Sequence, residues 1–236
     1  MWTRRSCSDC SRALADVDAD LPMPSRMCRA CVDVLGAQSG AVVVSATPDE
    51  RLTVSTSDGM CAEIEDLEQM LGEGPGRVAF AEDRIVVADL DADRPPDLAF
   101  PLFSSLVGGI TGPATSYAVP MRVGGRHLGV LTLYMSAAPT HRDPADLQFV
   151  ADAVGQAVVG DVDSLDWSFR AQVHQAAGMV TAQLRIPPAD ALAVLRAHAF
   201  AASTSLDAVA NDVLARRLTF TQDGVDAVDT DRTEER

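Results

Sequence analysis

Four of the five cysteines fall in two pairs, Cys7-x2-Cys10 and Cys28-x2-Cys31, with 17 residues between them. That spacing matches four-thiolate zinc sites, in which each pair supplies two corners of a tetrahedron. The second pair, however, lies in a stretch whose apolar positions Met27, Cys31, Val34 and Leu35 recur at helical spacing. A zinc knuckle needs a turn there, so the cysteines read as ordinary thiols, with a zinc site or a thiol redox switch as the alternatives. No metal or other cofactor is expected. GEGPG at 72–76 invites a phosphate-loop reading, but it lacks a following Gly-Lys-Ser/Thr and a preceding strand. It reads as a turn. His127 and His141 form no recognisable haem pair, and His174 and His198 read as helix-surface residues. Acids are plentiful, yet no carboxylate pair, Ser/His/Asp set or metal triad stands out. The chain is not expected to be an enzyme.

Cationic chemistry is confined to one side chain. All 19 basic residues are Arg, against 34 acids, and the net charge is −15 over 236 residues. Non-specific coating of nucleic acid or anionic membrane is therefore disfavoured. The charge is unevenly placed: −12 over residues 1–164, +1 over 165–220 and −4 over 221–236. Arg185, Arg196, Arg216 and Arg217 sit in the nearly neutral stretch, where planar guanidinium forks suit phosphate and base contacts. Arg216 and Arg217 would equally suit the carbonyls at a helix C-terminus. Gly178, in mid-helix, costs about 1 kcal/mol against Ala. Either a close ligand approach or a tight helix crossing explains it.

The elements that must hold these residues follow from periodicity and punctuation. Pro22-Met23-Pro24 with Ser25 as N-cap opens a helix that Gly36 ends. Ala41 to Ser45 reads as a buried strand, with Leu52 to Ser55 as its partner across TPDE. Glu63 to Met70 reads as a helix stopping at Gly72, and Arg84 to Asp89 as a strand. Tyr117 to Val123 and Arg126 to Tyr134 flank Gly124-Gly125, a strong hairpin signal. Pro144 then starts a helix. Apolar positions from Leu147 to Val180 step by three or four, which predicts one long helix joining two domains unless GDVDSLD at 160–166 breaks it. Three helices at roughly 166–184, 189–202 and 206–219 follow, and 221–236 reads as a disordered acidic tail. No stretch approaches the roughly 20 apolar residues of a membrane span. Arg4-Arg5 lacks the apolar segment of an export signal, so a cytoplasmic location is expected.

The segments RMCRACVDVLGAQSGAVVVS, LEQMLGEGPGRVAF with RIVVADL, and YAVPMRVGGRHLGVLTLY resemble a GAF domain of the actinobacterial regulatory type. VHQAAGM at 173–179, ADALAVLRAHA at 189–199 and LDAVANDVLARRL at 206–218 resemble an ANTAR domain. The resemblance implies an extension at 1–20, a GAF sensor at 21–162, an ANTAR module at 163–220 and a tail at 221–236. The implied fold is an α+β GAF domain, an antiparallel sheet flanked by helices, joined by a long helix to an all-α three-helix ANTAR domain. The implied function is transcription antitermination through structured leader RNA with paired stem-loops bearing six-nucleotide loops. A homodimer suits a paired site, and a small-molecule or protein signal would act on the GAF domain. The RNA contacts are assigned to Gln175, Gly178, Arg185, Arg196, Thr204, Arg216 and Arg217. Many ANTAR sequences carry Lys where Ala177 stands, so one cationic contact is absent. A GAF-based sensor or scaffold without RNA binding is the alternative.

Overall fold

Pro22 caps helix α1 (Met23–Leu35) with an extended φ/ψ of −52°/145°. The helix thus starts ahead of Ser25, which the sequence reading had placed at the cap. Pro22 has no side-chain acceptor to offer, and the orphan N–H of Met23 donates instead to Asp161 Oδ2 at 3.0 Å. The computed structural model that shows this describes residues 12–47, 50–91, 96–136, 143–161, 168–221 and 224–227. The chain divides into two compact units, one of Met1–Glu68 with Gly72–Leu165 and one of Asp166–Arg236 with Gln69–Leu71.

In the first unit α1 is followed by β1 (Ser39–Thr47), β2 (Glu50–Thr56), α2 (Gly59–Leu71) and α3 (Pro75–Glu82). Then come β3 (Val86–Asp89), α4 (Pro101–Thr111), β4 (Ala114–Val123), β5 (Arg126–Ser136) and α5 (Pro144–Gly160). The strands form one antiparallel sheet in the order β2-β1-β5-β4-β3. Gly124 and Gly125 carry φ of +58° and +75°, the backbone a two-residue hairpin between twisted strands requires. Helices α3 and α4 were not foreseen. One is only eight residues long with Gly at its second position, and the other holds two glycines, so local propensity argues against both.

The sheet has two buried faces. Val42, Val44, Leu131, Leu133 and Met135 pack with α1 and α5 through Cys31, Leu35, Leu147, Val150 and Val154. The alternate residues, among them Val43, Val130, Thr132 and Tyr134, point to the opposite face and are fully buried there. Ile64 of α2, Ala79 of α3 and Phe103 and Val107 of α4 are buried as well.

The second unit holds α6 (Ser168–Leu184), α7 (Pro188–Ala201) and α8 (Leu206–Leu214), closed by a hairpin of β6 (Leu218–Thr221) and β7 (Gly224–Ala227). Val173, Ala176, Val180, Leu195, Val209 and Val213 share one core with Leu218 and Phe220. Ser205 caps α8, its hydroxyl accepting from Ala208 N at 3.2 Å.

Three expectations need correction. The long joining helix is two helices of 17 residues, because Asp161 leaves the helical region with φ/ψ of −131°/36°. Periodicity of 3.6 persists across such a break, and the alternative that GDVDSLD at 160–166 interrupts the helix is the one the structure follows. Helix α8 ends at Leu214, not near 219, since Arg216 turns left-handed and strand alternation buries Leu218 and Phe220. The expected disordered tail begins too early at 221, because Thr221 and Gly224–Ala227 form the hairpin. Residues 228–236, like 1–11, lie outside the described part of the chain.

A Cβ at Gly129 would stand 1.9 Å from the Val43 carbonyl oxygen across the β1–β5 pair. Gly129→Ala should therefore destabilise the first unit by at least about 2 kcal/mol, read from urea midpoints. An unchanged midpoint would show that the strands separate at little cost.

Candidate functional site

On the inner face of the sheet, Arg51 of β2 is enclosed between two carboxylates of α2. Its Nη2 donates to Glu65 Oε2 at 3.0 Å, and its Nη1 contacts Glu68 Oε2. All three side chains are at most 5% exposed. Glu65 and Glu68 are three residues apart, which places both on one helix face. Tyr134 of β5 donates its hydroxyl to Glu65 Oε1 at 3.3 Å. Gly76, in the first turn of α3, donates its N–H to Glu68 Oε1 at 2.9 Å. The next helix is tied in the same manner, with Phe103 N donating to Glu73 Oε1 at 2.8 Å. One guanidinium balances one of the two carboxylates. Burial therefore pushes Glu65 up to about 7, with Arg51 opposing the rise and the Glu68 charge adding to it. The same burial raises the Tyr134 phenol.

The GEGPG turn is shaped to this cluster, not to a phosphate. Gly74 has φ +150°, and a Cβ there would lie 2.5 Å from the Glu68 side chain. Around the cluster, the hydroxyls of Ser39, Ser45 and Ser116 are buried without a hydrogen-bond partner. Strand register sets them on the same face as Tyr134 and Arg51. Sequence reasoning missed Arg51, Glu65, Glu68 and Tyr134. The available signal was the pairing of two acids at helical spacing with glycines at 74 and 76.

The described cysteines are buried thiols. Cys28 donates to the Gly40 carbonyl at 3.4 Å, and burial pushes it up to about 12. Cys61 is raised by the same cause. A thiol held protonated in this way is a poor nucleophile, which argues against a redox role for this pair. Among the described residues no group of three or more His, Cys, Asp or Glu side chains is arranged to hold a metal ion. The Cys7 and Cys10 half of the proposed zinc motif lies outside the described residues.

The seven residues assigned to RNA fall into separate sets. Gln175, Gly178 and Arg185 are exposed at spacings of three and seven, and exposed Ala182 lies between the last two. Gln175, Gly178 and Ala182 share one face of α6, and Arg185 follows directly after its last residue, Leu184. Apart from the backbone of α6 itself, no atom of the described residues lies within 4 Å of a Cβ built on Gly178, so a tight helix crossing among them does not explain that glycine. Arg185 and Arg216 are exposed and both adopt φ +58°. Gln183 Oε1, two residues before Arg185, accepts from Phe220 N at 3.0 Å, which ties β6 to the end of α6. Arg217 is exposed as well, its guanidinium on Asp212 Oδ1 at 2.6 and 2.8 Å. Arg196 and Thr204 are only half-exposed, and Thr204 N donates to the Ala199 carbonyl in the α7–α8 turn. His198 is half-buried, edge-on to Phe220 at 5.4 Å, and not a free surface histidine. Ala177 is buried in the core of the unit.

The Glu65 proton makes a pH prediction. Between the ordinary value of 4.5 and about 7 the folded protein holds a proton that the unfolded chain has released. This group's contribution to stability is therefore greatest at low pH and declines as pH rises through that window. Glu65→Gln should flatten the decline, measured from urea midpoints at about pH 5 and 7.5. Equal slopes in both proteins would place the proton elsewhere.

The family model of the GAF domain matches residues 25–159. No curated protein matches the chain. Among solved structures, the GAF domain of a phosphoenolpyruvate-protein phosphotransferase from Acinetobacter is 11% identical with a TM-score of 0.45, over 67% of this chain and 96% of that one. The corresponding GAF domain from Coxiella burnetii is 14% identical with a TM-score of 0.47, over 66% and 93%. Free methionine-R-sulfoxide reductase from Neisseria meningitidis, in complex with its substrate, is 14% identical with a TM-score of 0.44, over 70% and 96%. Among the described residues no helix is long and apolar enough to cross a membrane. With more than half its length matched by the family model, and with an antiparallel sheet flanked by helices over that span, the chain belongs to the GAF domain family.

Proposed function

We propose that the chain is a signal-responsive RNA-binding regulator. The GAF domain receives a signal. The C-terminal three-helix unit, read as an ANTAR domain, binds leader RNA carrying two stem-loops and so permits transcription past a terminator. A homodimer would present two such units to the paired loops. The observation that carries this reading is the exposed face of α6 made by Gln175, Gly178 and Ala182, with exposed Arg185 directly after the helix end. Small residues in its middle leave the backbone open to a close-fitting nucleotide loop, and polar and cationic groups flank them.

Two arginines in left-handed backbone strengthen it. Arg185 and Arg216 occupy positions where Gly is usual, at a cost on the order of 1 kcal/mol each. Such strain points to a use for the guanidinium. Direct contacts are assigned to Gln175, Arg185, Arg216 and Arg217, with Gly178 permitting approach. Half-buried Arg196 and Thr204 support the turn and helix behind them. Three unpartnered hydroxyls on the inner face of the GAF sheet, Ser39, Ser45 and Ser116, favour a small polar molecule as the signal.

The reading makes stability and binding move in opposite directions. Gly178→Ala fills open space in an exposed helix and should stabilise the protein by about 0.5–1 kcal/mol. The same change should weaken binding of a labelled paired-hexaloop RNA, and Arg185→Ala should weaken it about tenfold. If Gly178→Ala raises the melting temperature but leaves RNA affinity unchanged, α6 does not face the RNA. If the full chain ignores such RNA, the regulator reading fails.

A further inference from the structure

Helix α4 of the GAF domain turns leucines to solvent. Leu102 and Leu106, one helical turn apart, are 58% and 40% exposed, and Leu98, in the turn just before the helix, is 95% exposed. The helix PLFSSLVGGIT holds no charged residue, in a chain with 34 acids and 19 arginines. Gly109 is exposed seven residues after Leu102 and three after Leu106, which places all three on one face. Apart from the backbone of α4 itself, no atom of the described residues lies within 4 Å of a Cβ built on Gly109. Its φ is not left-handed either. Alanine would hold the helix better, so nothing among the described residues explains the glycine.

The face is complementary to itself. A two-fold axis between Ser105 and Leu106, with α4 antiparallel to the same helix of a second copy, sets each Leu102 over the other's Gly109. The same axis sets each Leu106 beside the other's Ser105. A large side chain meets a small one at every step, which lets the two helices approach closely. Charge points to the same occupant. Two chains of net charge −15 repel, and a face without charge lets them meet without burying acid against acid. An anionic membrane is a poorer fit, since α4 offers no arginine to hold it. The helix has 11 residues and is about 16 Å long, so the contact falls below the roughly 800 Å² per partner of a standard interface. A weak, reversible dimer follows.

We propose that two copies of this chain pair through α4, antiparallel about a two-fold axis between Ser105 and Leu106, with each Leu102 seated on the other's Gly109. This rests on the RNA-binding reading for the use of a homodimer, but not for its physics. Phe103 and Val107 bury another face of the same helix in the GAF domain, and Phe103 N donates to Glu73. A signal that repacks that interior therefore shifts the pairing face. RNA with two stem-loops would hold the weak pair together by engaging both chains at once.

The test is sedimentation equilibrium of the full chain without RNA, from about 1 to 200 μM, the range in which a contact this small dissociates. It is run beside the double variant Leu102→Glu with Leu106→Glu, and beside Gly109→Gln. The wild-type chain should show a monomer–dimer equilibrium, and the double variant should stay monomeric throughout. Gly109→Gln should raise the dissociation constant at least about tenfold, as a side chain fills the notch that receives Leu102. Its melting temperature, taken at a concentration where all proteins are monomeric, should not fall, which separates lost pairing from lost folding. If the double variant fails to fold, Gly109→Gln decides. A dimer that forms as described in a chain that ignores paired-hexaloop RNA would support the pairing and remove the RNA reading. A wild-type chain that is monomeric at the highest concentration, or a dimer that Gly109→Gln leaves unweakened, would overturn the proposal whether or not RNA binds.

Discussion

The first unit depends on a single buried guanidinium. Arg51 reaches across from the edge strand β2 to two carboxylates on α2, and through them to the start of α3 and to Tyr134 in the middle of the sheet. A charge taken from water costs several kcal/mol, which only close opposite charges and satisfied hydrogen bonds offset. Here they do, so each partner becomes hard to remove. Losing Glu68 would strand Arg51 and the Gly76 amide together. The glycines at 74 and 76 follow from the same constraint, since α3 can approach the Glu68 carboxylate only where no Cβ intervenes. One cation facing two acids also fixes the electrostatics. A proton near neutral pH is the inexpensive way to remove the excess charge.

The second unit follows a different economy. Its core is aliphatic and small, with alanines at 176, 177, 191, 199 and 210 letting three short helices approach closely. Leu218 and Phe220 close that core from beyond the third helix, which is why the chain turns to a strand after Arg217. The exposed positions 175, 178 and 182 of α6 lie outside that core. A glycine at 178 persists there although alanine would hold the helix better, and the left-handed arginines persist where glycine would relieve strain. Those two departures from local preference, both on the exposed surface, form the physical case for a binding face. Net acidity fits this picture, since a weakly charged unit attached to an acidic chain cannot hold polyanions indiscriminately.

Much of this was legible because it depends on local punctuation. Gly36, Gly72 and Gly124-Gly125 mark chain reversals that need positive φ, and the structure uses them so. The alternation in Tyr117 to Tyr134 shows a two-faced strand pair without any tertiary knowledge. The break at Asp161 was legible only as an alternative, in GDVDSLD, because helical periodicity runs intact on both sides of it. Two features were not legible. Helices α3 and α4 form against local propensity, held by Glu68 and Glu73 accepting backbone N–H groups. The Arg51 cluster joins residues 14 and 17 apart and more in sequence, and among 34 acids nothing local distinguishes the two that are buried. The arginine positions were readable as residue types, but the left-handed backbone at Arg185 and Arg216 was not.

The central claim is that a GAF-family chain of net charge −15 binds a shaped RNA through a few arginines. The most direct measurement is the affinity of the full chain for a two-stem-loop leader RNA across a salt series, beside a scrambled RNA of equal length. The account predicts binding to the leader alone. Its log–log salt slope should fall near −2, as about three phosphate contacts at roughly −0.7 each would give. Equal affinity for both RNAs, or no binding to the leader at low salt, would contradict it.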